Sequence, residues 1–180
     1  MGVNLLTYSA IDGIPTLTDS EVMGLYEQME MDGTSETVFY DGSVMGAHDF
    51  LRTMKHGNTR LFVVSLEREV AGVIWLTDFE ARRAAFHFCF FSNAWDSDLV
   101  FVGTECVSEI LNMQNGSGEP IFDALTGIVP EFNKKAIAWC EKMGFEVLGI
   151  LPSGCWVSRL QKSVPGTVYF VERGRYGKRI

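Results

Sequence analysis

The chain has 180 residues, of which 47% are hydrophobic and 21% charged, and its formal net charge is −8. This length and composition predict one globular domain over residues 1–180, and the acidic balance argues against nucleic-acid binding. We find no apolar run of membrane-spanning length and no signal-peptide pattern at the start, so we expect a cytoplasmic protein without a membrane partner.

The cysteines lie far apart in the sequence, at Cys89, Cys106, Cys140 and Cys155. They lack the close spacing that metal ligands show, and each has apolar neighbours. We therefore expect reduced, buried thiols and no metal site.

The first part of the chain predicts a strand followed by two helices. The strand is expected near Leu5–Ala10. Asp19 or Ser20 can cap the first helix, and a second helix is expected from about Ser43 to His56. Spacings of three and four place one apolar face on the first helix: Val22, Leu25, Tyr26 and Met29.

Three β-rich runs come next, at Leu61–Leu66, Val70–Thr77 and Ala84–Phe91. Short charged connections join them, which predicts an antiparallel meander. A turn-rich loop at residues 92–97 then leads to a helix from about Leu99 to Met113.

The segment after this helix has the most informative pattern. Prolines bound an apolar run, Ile121–Val129, which predicts a buried strand. A helical pattern opens at Pro130 and Glu131 and stops at Gly144, where a glycine accepts the positive φ of a C-terminal cap. Another strand is expected at Phe145–Leu151.

Two further strands are expected at Cys155–Leu160 and Thr167–Glu172, after a turn at Pro152–Gly154. This pair of strands could support a homodimer. The chain ends in a basic run that is either solvated or available to an anionic partner: Arg173, Arg175, Lys178 and Arg179.

One motif carries a family resemblance. Asn133, Ala136, Lys142, Gly144 and Phe145 have the spacing Asn-x-x-Ala-x-x-x-x-x-Lys-x-Gly-Phe, which resembles the second half of the GCN5-related N-acetyltransferase (GNAT) superfamily. The order of the elements before it is also similar. The resemblance implies an α/β (α+β) fold with a mixed, mostly antiparallel central sheet flanked by about four helices.

The resemblance also implies an activity, the transfer of an acetyl group from acetyl-CoA to a primary amine by direct attack. The acceptor would be a small molecule, a protein N-terminus or a lysine. A binding or assembly protein that keeps the fold but has lost the cofactor remains the alternative.

Cofactor contacts follow from the same resemblance. The CoA pyrophosphate would rest on backbone N–H groups at the start of the helix near Leu99, where the helix dipole favours an anion. N–H groups of the strand Ala84–Phe91 would polarise the thioester carbonyl. The implied contacts are Phe91, Ser92, Val102, Gly103, Thr104, Asn133 and Ala136.

Two residues depart from the family pattern in the pyrophosphate loop. Asp98 stands where glutamine or arginine is usual, and Phe101 stands at a usual glycine. A carboxylate there would repel pyrophosphate, and a bulky side chain would hold the backbone away. These departures favour the alternative of a binding protein.

Cys140 occupies the position of the family's proton-donating tyrosine, so it is a candidate acid as well as a candidate core thiol. A general base must take a proton from the amine near neutral pH. His87, in the strand that leads to the cofactor loop, is the first candidate. Asp78, Glu80 and Glu105 are the others.

Overall fold

The computed structural model describes residues 2–11 and 13–176 of the chain. Its strands are β1 (Val3–Thr7), β2 (Ala10–Ile11), β3 (Ile14–Pro15), β4 (Arg60–Leu66), β5 (Glu69–Glu80), β6 (Arg83–Phe90), β7 (Ala124–Pro130), β8 (Glu146–Val157) and β9 (Lys162–Glu172). Its helices are α1 (Asp19–Met31), α2 (Ser35–Val38), α3 (Ala47–Met54), α4 (Leu99–Leu111), α5 (Lys134–Lys142) and α6 (Arg173–Tyr176). None of these helices is long and apolar enough to cross a membrane.

A seven-stranded sheet forms the centre, in the order β1-β4-β5-β6-β7-β9-β8. Neighbouring strands run antiparallel except β6 and β7, which pair in parallel. The mixed, mostly antiparallel sheet is therefore confirmed. Four helices have eight residues or more, α1, α3, α4 and α5, while α2 and α6 are single turns.

Each face of the sheet has its own hydrophobic core, because side chains alternate along a strand. On β6, Phe86 and Phe90 pack with α4 and α5 on one face. Cys89, and Phe91 just beyond the strand, pack with α1 and α3 on the other. The even-numbered side chains of β6 therefore face one helical layer, and the odd-numbered side chains face the other.

Local capping explains where the first helices begin. Thr18, rather than the expected Asp19 or Ser20, caps α1, through a capping box with Glu21 in which each side chain bonds the other's backbone. The helix expected from Ser43 starts only at Ala47. Ser43 instead bonds to the Asp41 carboxylate in a turn, and such local bonds compete with helix formation.

The strand and helix of the family-like segment are shorter than expected. β7 begins at Ala124, because the N–H of Ile121 donates to the carbonyl of Met113, just beyond α4, before the ladder starts. Pro130 ends β7, pairing with Gly166, so it is not a helix start. The helix begins at Lys134 instead, where the Asn133 side chain accepts a bond from the backbone N–H of Ala136.

The last two strands form one long hairpin, and the turn predicted at Pro152–Gly154 is wrong. These residues lie within β8, where the ladder with β9 is irregular between Leu151 and Cys155. The chain turns at Ser158–Leu160 instead. β8 is a sheet edge, with five large apolar side chains exposed: Val147, Leu148, Ile150, Leu151 and Trp156.

The predicted basic tail lies partly outside the described residues, which end at Tyr176. Arg173, at its start, pairs with Asp123 at a distance of 2.8 Å. This arginine fixes α6 against the chain just before β7.

Helices α4 and α5 approach each other closely at Gly103. A Cβ atom there would overlap the Trp139 ring and the sulfur of Met143. The indole of Trp139 also donates from Nε1 to the carbonyl oxygen of Leu99 at 3.1 Å. Gly103 is therefore required by helix packing.

Replacing Gly103 with alanine is expected to destabilise the protein by about 1–3 kcal/mol, because overpacking outweighs the better helix propensity of alanine. Gly24→Ala in α1 is the matched control. No atom lies within 4 Å of the Cβ added there, so the free energy of unfolding of this variant should rise by about 0.5–1 kcal/mol. Urea unfolding of both variants measures the difference, and equal stabilities would contradict the packing argument.

Candidate active site

A cavity lies where β6 and β7 separate. The two strands pair only between Arg83–Ala85 and Ala124–Thr126, and beyond these residues they diverge. A cavity of about 790 Å³ fills the gap and reaches both helical layers. It is thus open to a ligand that passes between two strands of the sheet.

The divergence leaves backbone donors without a strand partner on one side of β6. The hydroxyl of Thr126 donates to the carbonyl of Ala84, and the indole of Trp95 donates to the carbonyl of Phe90, so both carbonyls point away from β5. Along a strand, the N–H and C=O groups of successive residues point alternately to the two sides, so those of Phe88 point the same way as those of Ala84 and Phe90. The N–H of Phe88 therefore points into the gap, where it can donate to a carbonyl oxygen.

His87 lies on the wall of the cavity that faces α1 and α2. Its Nε2 is 3.0 Å from the hydroxyl of Thr77, and its ring stacks on Trp75 with centroids 5.2 Å apart. Burial lowers the pKa of His87, while the carboxylates of Asp78 and Asp41 act in the opposite direction. A neutral imidazole at neutral pH can accept a proton, as a general base must.

Cys140 and Tyr169 lie on the opposite wall. Burial, with a smaller effect of Glu141, raises the pKa of Cys140 to about 12. Burial also raises the pKa of Tyr169 to about 12, and its hydroxyl has no hydrogen-bond partner among the described residues. A thiolate of ordinary pKa, about 8.5, takes a proton from such groups only at a cost of about 5 kcal/mol. The donor role of Cys140 stays a prediction, and the pKa disfavours it.

Asn133 and Ala136 also line the cavity. The Asn133 Oδ1 atom accepts the Ala136 N–H at 3.1 Å and caps α5. This explains both residues of the motif as a helix start. The amide N–H2 of Asn133 keeps its capacity to donate to a ligand.

Carboxylates occupy backbone donors around the start of α4, the region that the family resemblance assigns to pyrophosphate. Asp98 caps α4 and accepts the N–H of Phe101 at 3.0 Å. Asp32 accepts the N–H and the hydroxyl of Ser92, at 2.8 Å and 2.6 Å. An incoming anion therefore meets two negative charges near donors that are already bonded.

The other predicted site residues do not line the described cavity, and neither do Ser92, Asp78 and Glu80. Phe91 packs in the core under α1, while Val102 is buried on α4 and Gly103 contacts α5. Thr104 bonds to a carbonyl of its own helix, and Glu105 is exposed on α4. Their roles in binding or catalysis stay predictions.

Sequence reasoning missed a cationic group at the cavity. Lys134 and Lys135 line it at the start of α5, and the ammonium of Lys135 lies 5.5 Å from the ring centroid of Trp95. Two cations in the first turn oppose the helix dipole. That unfavourable placement, directly after the capping Asn133, is a sequence signal that favours a site for an anion.

Comparison with known proteins identifies the fold. No protein-family model and no curated protein sequence matches the chain. The microcin C7 self-immunity acetyltransferase MccE, solved with acetyl-CoA and AMP, superposes with a TM-score of 0.68 at 15% identity, covering 94% of this chain and 92% of its own. Spermidine N-acetyltransferase from Vibrio cholerae, solved with CoA and spermine, superposes with a TM-score of 0.69 at 13% identity, and the match covers 97% of each chain.

A third structure is the acetyltransferase from Salmonella typhimurium that modifies the N-terminal serine of a 50S ribosomal subunit protein. It gives a TM-score of 0.72 at 9% identity and covers 94% of both chains. These matches show that the chain has the fold of the GNAT acetyltransferases, as the sequence motif predicted.

The buried thiols predict a loss of stability at alkaline pH. The folded protein keeps Cys89, Cys106 and Cys140 protonated, with pKa values of about 11, about 12 and about 12, whereas unfolded thiols ionise near pH 8.5. The unfolded state therefore loses protons first, and the free energy of unfolding should fall by several kcal/mol between about pH 8.5 and 10.5.

Urea unfolding at several pH values measures this fall. Cys140→Ala removes one of the three groups, so its stability should be lower at neutral pH but depend less steeply on pH. A free energy of unfolding that stays constant up to pH 10.5 would contradict the burial of the thiols.

Proposed function

We propose that this protein transfers an acetyl group from acetyl-CoA to a primary amine. The observation that carries the proposal is the cavity between β6 and β7, which is reached from both faces of the sheet. His87 lines it on one face, and Asn133 lines it on the other. A donor and an acceptor can thus meet from opposite sides at the gap.

His87 takes the proton of the amine through a ring nitrogen, so that the amine nitrogen can attack the carbonyl carbon. Backbone N–H groups of β6, Phe88 first, donate to the carbonyl oxygen as negative charge develops on it. Acetyl-CoA supplies the acetyl group as the C–N bond forms and the C–S bond breaks. At neutral pH the released thiolate can take its proton from water, so the buried thiol of Cys140 need not donate one.

Lys134 and Lys135 would hold the phosphate groups of the donor. Their charges would offset the repulsion from Asp32, which also lines the cavity, and from Asp98 at the start of α4. Since these carboxylates already occupy backbone donors, we expect donor binding to be weaker than at an open helix N-terminus.

The acceptor would enter beside α2, where the wall is formed by Thr34, Tyr40, Trp75 and His87. Aromatic faces attract a cationic amine without fixing its protonated form as a carboxylate would. Similar proteins act on spermidine and on a protein N-terminus, so both acceptor types are proposed. We also propose that the chain acts as one cytoplasmic domain and that it associates with itself, as the dodecameric Vibrio cholerae enzyme does.

A second candidate function is a binding or assembly protein of this fold without transferase activity. The observation that favours it is the Asp98 carboxylate on the first turn of α4. The two candidates differ in one measurable property, the affinity for acetyl-CoA.

Calorimetric titration with acetyl-CoA, with desulfo-CoA and ADP as controls, is expected to give binding that requires the pyrophosphate. Asp98→Asn keeps the helix cap but removes its charge, so affinity should rise several-fold. Asp96→Asn in the same loop is the matched control, and should change affinity less. No binding at millimolar acetyl-CoA, in the wild type and in Asp98→Asn alike, would support the binding protein instead.

His87→Gln is expected to lower turnover about a hundredfold or more while acetyl-CoA affinity is kept, because the base is lost. Release of the CoA thiol, followed with polyamines and N-terminal peptides as acceptors, measures turnover. His48→Gln on the exposed face of α3 is the control. Equal rates for the two variants would exclude His87 as the base.

A further inference from the structure

The hydrogen bonds of Thr77 fix the protonation of His87. The Thr77 hydroxyl lies 3.0 Å from Nε2 of His87 and 3.2 Å from Oδ2 of Asp78. An ionised carboxylate only accepts, so the single proton of the hydroxyl is donated to Asp78. The Thr77 oxygen must then accept the second bond, and Nε2 of His87 must carry the proton.

We propose that Thr77 and Asp78 are positioning residues that hold His87 as its Nε2–H tautomer. Nδ1 is then the unprotonated nitrogen, in a ring that lines the cavity, and it has no hydrogen-bond partner among the described residues. The use of this nitrogen as a base rests on the proposed function. The tautomer itself does not.

The fold fixes the orientation of the His87 ring as well as the position of its proton. Trp75 pairs with His87 across β5 and β6, and Thr77 is the diagonal neighbour on the same face. The ring planes of Trp75 and His87 differ by only 10°, and Phe39 also stacks on Trp75. The stacking on its face and the hydrogen bond at Nε2 together hold the imidazole in one orientation.

This arrangement separates the negative charge from the acceptor site. When Nδ1 takes a proton, the imidazolium keeps its Nε2–H bond to Thr77, and the Asp78 carboxylate stabilises the positive charge through that hydroxyl. Asp78 is exposed outside the cavity, and Asp41, after α2, is the other carboxylate that acts on the ring. The group that takes the proton from the amine is thus a neutral imidazole rather than a carboxylate.

Long-range proton–nitrogen NMR of the ligand-free protein tests the tautomer. The chain has only 3 histidines, and His87→Gln assigns the signals of this ring. Free histidine already favours the Nε2–H form, so the change in the tautomer ratio is the readout. In Thr77→Val we expect the ratio of the Nε2–H to the Nδ1–H form to fall about fivefold or more from its wild-type value, the change that loss of a typical net hydrogen bond produces, whereas Thr77→Ser should keep the wild-type ratio. An Nδ1–H form in the wild type, or an unchanged ratio in Thr77→Val, would overturn the proposal.

Asp78→Asn supplies an independent variant, since asparagine tolerates the left-handed backbone, φ 49°, of this position. Removing the charge should lower the pKa of His87 in an NMR titration. Glu80→Gln, at the same hairpin, is the matched control and should leave that pKa unchanged. A pKa that moves equally in both variants would contradict a specific role for Asp78. Because no ligand is used, these results stand apart from whether acetyl-CoA binds.

Discussion

The short parallel contact between β6 and β7 is the constraint on which the site depends. The strands share three residue pairs and then follow different neighbours, β6 along β5 and β7 along β9. Longer pairing would close the cavity and use the N–H groups of β6. The separation exposes both side-chain faces of one strand to the same space, so that His87 and Phe88, adjacent in sequence, line it from opposite layers.

The order and type of most elements could be predicted from the sequence, because apolar periodicity reflects burial against a single sheet. β4, β5, β6 and α4 are close to their expected limits. The errors arise where a local hydrogen bond, or a residue distant in the sequence, determines where an element begins or ends. Thr18 caps α1 through Glu21, and Pro152 stays within a strand because β9 continues beside it. The single turn α2 had no periodic signal to find.

The site was predictable only where one segment specifies it. His87, Asn133, Ala136 and Cys140 line the cavity because a strand position or a helix spacing places them. Apart from the two cations at the start of α5, the charged end of the cavity could not be predicted, since its character comes from residues far apart in the chain. Asp32 and Ser92 are hydrogen-bonded although they are 60 positions apart in the sequence. Lys135 and Trp95 are in contact although α4 and β7 lie between them in the chain. No local pattern encodes such pairs.

The outer strand, β8, has a consequence for how this protein behaves when concentrated. A regular apolar edge strand is a template for strands of other chains. On β8 the register shifts twice, between Val147 and Gly149 and between Leu151 and Cys155, and Pro152 lies inside the second irregularity. An approaching strand would lose its alignment within a few residues. The protein can therefore expose apolar side chains at this edge while limiting the growth of its sheet into fibrillar aggregates.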